Sequence, residues 1–198
     1  MSDMSVQSLF SVKGKVALVT GGSRGIGEMI AAGLLANGAK VYISARKAQA
    51  CDEAAKRLMD NYGGECISIP ANVADIDGIE ALVAEITKRE KYVDILINNA
   101  GVSAHALFED VKPENLAWYE ELMRVNLWGA VCCTHAALPY LKQSHGRIVA
   151  VSSLAGLVGV PGRTAYSASK FALSGFFEAL RAEVKDAGVS VTLAYPGV

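Results

Sequence analysis

Tyr166 and Lys170 stand four residues apart, so one helical turn puts a phenol and an ammonium on the same face. A phenol, with a reference pKa of about 10, is a poor proton donor or acceptor at neutral pH, but a neighbouring ammonium favours its anion. The pair can then act as a general acid or base. The spacing alone says little, because a chain with seven tyrosines meets it by chance. Its setting says more. Ser153 lies upstream at the end of a predicted strand, where its hydroxyl can hold a carbonyl oxygen as charge develops there while Tyr166 supplies the proton. Ser152 faces the other side of a regular strand and ranks second.

A second group sits near the start, in Thr20-Gly21-Gly22-Ser23-Arg24-Gly25-Ile26-Gly27, between a predicted strand and a predicted helix. Glycines there let the backbone turn tightly and approach a pyrophosphate, which the free N–H groups and positive dipole end of the helix stabilise. The alternative is a tight turn with no ligand. About 20 residues further on, an NAD site would carry an acid for the ribose 2′-OH. This chain has Ser44-Ala45-Arg46-Lys47 instead. With no carboxylate to repel it, a 2′-phosphate is the better guest, held by a forked pair from Arg46 and gripped by Arg24. NADP(H) is the expected cofactor, although Arg46 and Lys47 also fit a solvated helix start.

The elements that must position these groups follow from the hydrophobic pattern. Short apolar runs at 15–20, 40–45, 66–71, 93–98, 147–153 and 189–195 alternate with helical stretches near 25–37, 48–61, 76–90, 114–144 and 165–187. The runs are continuously apolar, as in Val16-Ala17-Leu18-Val19, which marks strands buried on both faces. The fold expected is α/β, a parallel sheet covered by helices on both sides. Pro113 suits the first turn of the fourth helix, and Gly38 and Gly188 stand where the first and fifth should end. No linker or repeat divides residues 1–198, so one domain is expected. The chain stops at Tyr195-Pro196-Gly197-Val198 without a seventh strand or a helix over the far edge. An exposed edge is a liability, so a fragment or a missing tail is expected.

Composition excludes several functions. With 52% hydrophobic residues, 20% charged residues and a formal net charge of −1, the 198-residue chain lacks the basic footprint of a nucleic-acid binder. The cysteines Cys51, Cys66, Cys132 and Cys133 form no C-x-x-C pair, and His105, His135 and His145 form no H-E-x-x-H, so no metal site is expected. The opening residues lack a secretory pattern, and no run of about 18 apolar residues occurs. A cytoplasmic protein without membrane contact is the reading.

These motifs resemble the short-chain dehydrogenase/reductase family over nearly the whole chain. The family's TGxxxGIG is present at Thr20 to Gly27, its NNAG at Asn98-Asn99-Ala100-Gly101, its helix asparagine at Asn126, its serine at Ser153, its YxxxK at Tyr166 and Lys170, and its PG at Pro196-Gly197. The resemblance implies a Rossmann-type, doubly wound, three-layer sheet in the order 3-2-1-4-5-6, with the seventh strand absent. It implies that Asn126 holds a water linking Lys170 to solvent, that Lys170 and Tyr166 also touch the cofactor, and that Gly21, Ser23, Arg24, Gly25, Ile26, Gly27, Asn99, Ala100, Gly101, Pro196 and Gly197 surround it. Asn72-Val73 occupies the place of the family's Asp-Val against the adenine. The threonine, lid and last strand that follow PG in the family have no counterpart here.

The first half is similar to ketoacyl reductases and the later motifs to hydroxysteroid dehydrogenases, both of which handle carbonyls on apolar molecules. The reading is an NADPH-dependent reductase acting on a ketone, with Ser153, Tyr166, Lys170 and Asn126 as its catalytic set. A nucleotide-binding sensor without turnover is the alternative; it has no need of Ser153, Tyr166 and Lys170 together. Apolar residues in the loops after the fourth and fifth strands, Phe108, Leu157, Val158 and Val160, fit either a substrate wall or a self-packed loop, and His105 shares that position. Trp118, Trp128, Phe176 and Phe177 are read as core or subunit contacts. The long fourth and fifth helices resemble those that pair between subunits in the family, so a homodimer or homotetramer is expected.

Overall fold

The computed structural model describes Ser5 and residues 9–197. Most of the opening stretch read above for a secretory pattern, residues 1–4 and 6–8, and Val198 lie outside the described residues. Six parallel strands, β1 Val16–Thr20, β2 Lys40–Ser44, β3 Cys66–Ser68, β4 Ile95–Asn98, β5 Arg147–Val151 and β6 Ser190–Ala194, form one sheet in the order β3-β2-β1-β4-β5-β6. The chain therefore winds outward in both directions from β1 and β4. Their neighbouring carboxyl ends open the crevice where doubly wound sheets take ligands.

Each strand divides its side chains between two cores. Val16 and Leu18 of β1, Tyr42 of β2, Leu96 of β4 and Ile148 and Ala150 of β5 pack on one face, with α3 Ile76–Thr87, α5 Gly129–Ser144 and α6 Thr164–Glu183 over them. Ala17, Val19, Val41, Ile43, Ile95, Ile97 and Val151 pack on the other, under α1 Gly25–Ala36 and α2 Ala48–Tyr62. This two-sided burial explains why the strands are apolar at every position instead of at alternate ones. Fully buried side chains such as Leu141, Leu173 and Phe177 each contribute about 1.5–3 kcal/mol by leaving water.

The predicted elements end within a few residues of the observed ones, with one informative departure. The stretch 114–144 is not a single helix. It opens with a 3₁₀ turn, Pro113–Asn115, continues as α4 Ala117–Met123, widens into a π-helical turn over Arg124–Trp128 and resumes as α5. A π turn inserts an extra residue into the helical repeat, and such turns recur at functional sites. Here it carries Asn126 into the interior, while Trp128 remains 57% exposed. Residue types do not foretell this turn, because residues 117–144 are compatible with an ordinary helix apart from Pro139, which lies inside α5. Phe177 belongs to the core and Phe176 packs against it, whereas Trp118 and Trp128 are exposed. No helix among the described residues is long and apolar enough to cross a membrane.

Candidate active site

Thr20 organises the crevice from the end of β1. Its buried hydroxyl donates to the Ile97 carbonyl at 3.3 Å and accepts from the amides of Asn99 and Ala100, each at 3.1 Å. Asn99 returns the tie, its Nδ2 donating to the carbonyls of Thr20 at 3.0 Å and Gly21 at 3.3 Å. The turn after β1 and the loop after β4 are thus joined as one unit. Sequence reading placed Thr20 in the motif but gave it no task; its role depends on the lateral contact between β1 and β4.

Glycine is required at two points of this unit. Gly21 has φ +67°, a left-handed conformation, and a Cβ there would lie 2.9 Å from the Ala100 Cα. A Cβ on Gly27 would collide with the Gly21 carbonyl oxygen and with Asn99 Nδ2. Gly27→Ala is therefore expected to cost about 1–3 kcal/mol by overpacking. It should also weaken dinucleotide binding at least tenfold, because the carbonyl it displaces shapes the turn. Urea unfolding and a fluorescence titration with NADPH check both parts.

The N-terminus of α1 is open to an anion. Arg24 precedes it with extended backbone and gives it no side-chain cap, and nothing lies within 4 Å of a Cβ built on Gly25. First-turn amides without a capping partner, beside bare backbone, match what a pyrophosphate needs. The residues present fit a dinucleotide at this end of the sheet. At the end of β2, Arg46 and Lys47 are exposed and, with Arg24, meet no carboxylate among the described residues, whereas Arg57 is neutralised by Glu28 at 2.6 Å. The Ser44 hydroxyl beside them is buried with no hydrogen-bond partner among the described residues. Asn72 uses its Oδ1 to accept from the Ala74 amide at 3.2 Å, and Val73 is buried against Gly129. Ser23 lies on the turn, half-buried, and Ile26 lies at the start of α1, exposed.

The chemical groups converge one strand away. Lys170, only 4% exposed, points its Nζ at the Val151 carbonyl, 2.9 Å distant at the end of β5, and lies 5.7 Å from the centre of the Tyr166 ring. Burial pushes its pKa down to about 8. The Arg163 guanidinium lies over the same ring at 6.0 Å, a second cation that the sequence reading did not assign. The Tyr166 hydroxyl makes no hydrogen bond to the described residues. Ser153 lies just beyond β5 and its hydroxyl accepts from the Ala155 amide at 3.2 Å, holding the short turn Leu154–Gly156. Ser152 turns the other way, within 3.4 Å of the Lys170 carbonyl and 3.2 Å of the Ser174 hydroxyl, as a regular strand requires.

Asn126 reaches the same place from the π turn. Its Oδ1 accepts from the Val102 amide at 2.8 Å, and its Nδ2 donates to the Val102 carbonyl and to the Ser169 hydroxyl, both at 2.9 Å. Gly101 lies between Asn126 and Lys170: a Cβ built on it would be 3.2 Å from Oδ1 and 3.7 Å from Nζ. Pro196 accepts from the Leu154 amide at 3.4 Å, which sets Pro196-Gly197 beside the Ser153 turn.

The loops around this mouth are also tied. The Ala106 amide donates to the Gly162 carbonyl at 2.9 Å, His105 lies against Gly162, and the hydroxyls of Tyr119 and Thr164 are 2.6 Å apart. Leu107, Phe108, Leu154, Leu157 and Val158 are exposed on the same loops. The cysteines stand apart: burial pushes the thiols of Cys51, Cys66 and Cys133 up to about 11, 12 and 12, which keeps them protonated.

Comparison with known proteins agrees with this architecture. The profile of the short chain dehydrogenase family matches residues 15–198. The chain is 38% identical over 192 residues to 11-beta-hydroxysteroid dehydrogenase A of Sesamum indicum, covering 96% of this chain and 54% of that protein. It is 38% identical over 185 residues to the 3-oxoacyl-[acyl-carrier-protein] reductase of Synechocystis, covering 92% of this chain and 73% of the relative. The chain thus spans between about half and three quarters of the length of these relatives. Among solved structures, the Pseudomonas aeruginosa RhlG/NADP complex superposes with a TM-score of 0.88 at 38% identity, over 95% of this chain and 74% of that one. A Burkholderia phymatum short chain dehydrogenase/reductase in complex with NAD gives 0.87 at 27% identity, over 95% and 67%. From its sheet order, its glycine turn and a profile match over residues 15–198, the chain belongs to the short chain dehydrogenase family.

Proposed function

We propose that this protein is a reductase that uses NADPH to convert a ketone on an apolar molecule to a secondary alcohol. The observation that carries the reading is a buried lysine with its pKa pushed down to about 8, held by the end of β5 and set against the ring of Tyr166. The bound nicotinamide supplies the hydride. Ser153 holds the substrate oxygen and Tyr166 gives it the proton. Lys170, able to take and release a proton near neutral pH, replenishes Tyr166. Asn126, across bare Gly101 from Lys170, extends the relay by holding a water. Gly21, Gly25, Ile26 and Gly27 hold the pyrophosphate, Ser23 lines the same turn, Asn99 to Gly101 hold the adenine ribose side, Asn72 and Val73 the adenine, and Pro196-Gly197 the nicotinamide side. The exposed apolar residues of the mouth suit a greasy substrate, as do the substrates named for the steroid and ketoacyl relatives. Exposed Trp118, Trp128 and Phe171, on or between α4 and α6, support pairing with a second copy.

The cofactor preference rests on Arg24 and Arg46. Arg46→Asp is expected to lower the NADPH to NADH ratio of kcat/KM at least 30-fold, the equivalent of losing one forked charge pair and gaining a repulsion. An unchanged ratio would remove Arg46 from the phosphate site. Stopped-flow oxidation of NADPH with a panel of apolar ketones tests the activity itself: binding without carbonyl-dependent oxidation would favour a sensor.

A further inference from the structure

Ser169 has no part in the reading above, yet it is fully buried beside two of the residues that do. Its hydroxyl donates to the Tyr166 carbonyl at 2.7 Å, an atom that can only accept. Its hydrogen is thereby committed, and its lone pairs are left for Asn126, whose Nδ2 lies at 2.9 Å. The second Nδ2 proton and Oδ1 of Asn126 are both taken by Val102. The Val102 bonds fix which way round the amide stands, because an N–H must meet oxygen and a carbonyl must meet nitrogen. They tie Asn126 only to the loop after β4. The Ser169 bond is the one that ties the amide to α6, the helix that carries Tyr166 and Lys170.

We propose that Ser169 is a positioning residue: it sets the distance between Asn126 and the Tyr166–Lys170 pair by bridging the π turn to α6, and so keeps that turn beside Lys170. The inference rests on the proposed relay through Asn126. Without the hydroxyl, one amide proton is buried with no acceptor and the π turn is free to shift away from the helix.

Ser169→Ala is expected to lower kcat about tenfold, the rate equivalent of one buried unsatisfied donor, with KM for NADPH and for the ketone unchanged. The solvent deuterium isotope effect on kcat should rise as proton delivery becomes slower than hydride transfer. Ser169→Thr, which keeps the hydroxyl, should recover most of the rate. In an Asn126→Ala background, Ser169→Ala should cost less than twofold, since the group it positions is gone. An equal loss with and without Asn126, or a loss expressed in KM alone, would overturn the assignment. Wild-type kcat in Asn126→Ala would instead remove the relay itself, and Tyr166→Phe retaining activity would remove the reductase reading.

Discussion

Tyr166→Phe should lower kcat roughly 10³-fold, inside the range that a positioned general acid contributes, while leaving the fold intact. The change deletes one oxygen. The ring stays, and with it the contacts to the Lys170 ammonium at 5.7 Å and the Arg163 guanidinium at 6.0 Å. No hydrogen bond to the described residues is lost, so neither α6 nor the strand behind it has a reason to move. The loss should therefore appear in the chemical step, and single-turnover oxidation of NADPH with a ketone measures it directly. Retained turnover would show that another group supplies the proton.

The second large effect is that of Lys170→Met, and it separates chemistry from stability. Turnover should fall at least about 100-fold, because Tyr166 loses the group that replenishes its proton. Stability follows a different course. Burial pushes the Lys170 pKa from 10.5 down to about 8, so the folded protein releases a proton that the unfolded chain still binds between those two values. Wild-type stability should accordingly rise with pH across that window, by about 3 kcal/mol in all, and be independent of pH through this group below pH 8, where both states are charged and the cost of burying the ammonium is fully present. In Lys170→Met that rise should be absent. At pH 7 the variant escapes the burial of a charge but strands the Val151 carbonyl, which costs about 1–3 kcal/mol, and the two nearly cancel. The slope between pH 8 and 10 is thus the decisive measurement. Urea unfolding of the two proteins without dinucleotide at pH 7, 8, 9 and 10 provides it; parallel slopes would place the lysine in water.

Much of this site is legible in the sequence because its signals are local. A glycine turn between a strand and a helix, and a tyrosine one helical turn from a lysine, are set by neighbouring residues, and the chain folds them into the places their spacing implied. The hydroxyls of Ser152 and Ser153 meet different partners, as expected of adjacent residues in extended chain, which face opposite ways. The π turn at Arg124–Trp128 was not readable. Its residues favour an ordinary helix, and what widens it is accompanied by bonds from Asn126 to Val102, 24 residues away, and to Ser169, 43 residues away. Thr20 and Arg163 were passed over for the same reason, since a hydroxyl at a strand end and a surface cation acquire a purpose only when a distant loop or ring is brought alongside.

The amino-acid sequence by itself determined the α/β pattern, the order of the elements and the residue types able to bind a dinucleotide and move a proton, because these depend on periodicity and on spacing within single elements. Tertiary structure alone decided which cations at the end of β2 meet no carboxylate among the described residues, how deeply Lys170 is buried, and which hydroxyl ties Asn126 to α6. Burial and long-range hydrogen bonds belong to pairs of elements, and a pair exists only once the sheet has brought its two members together.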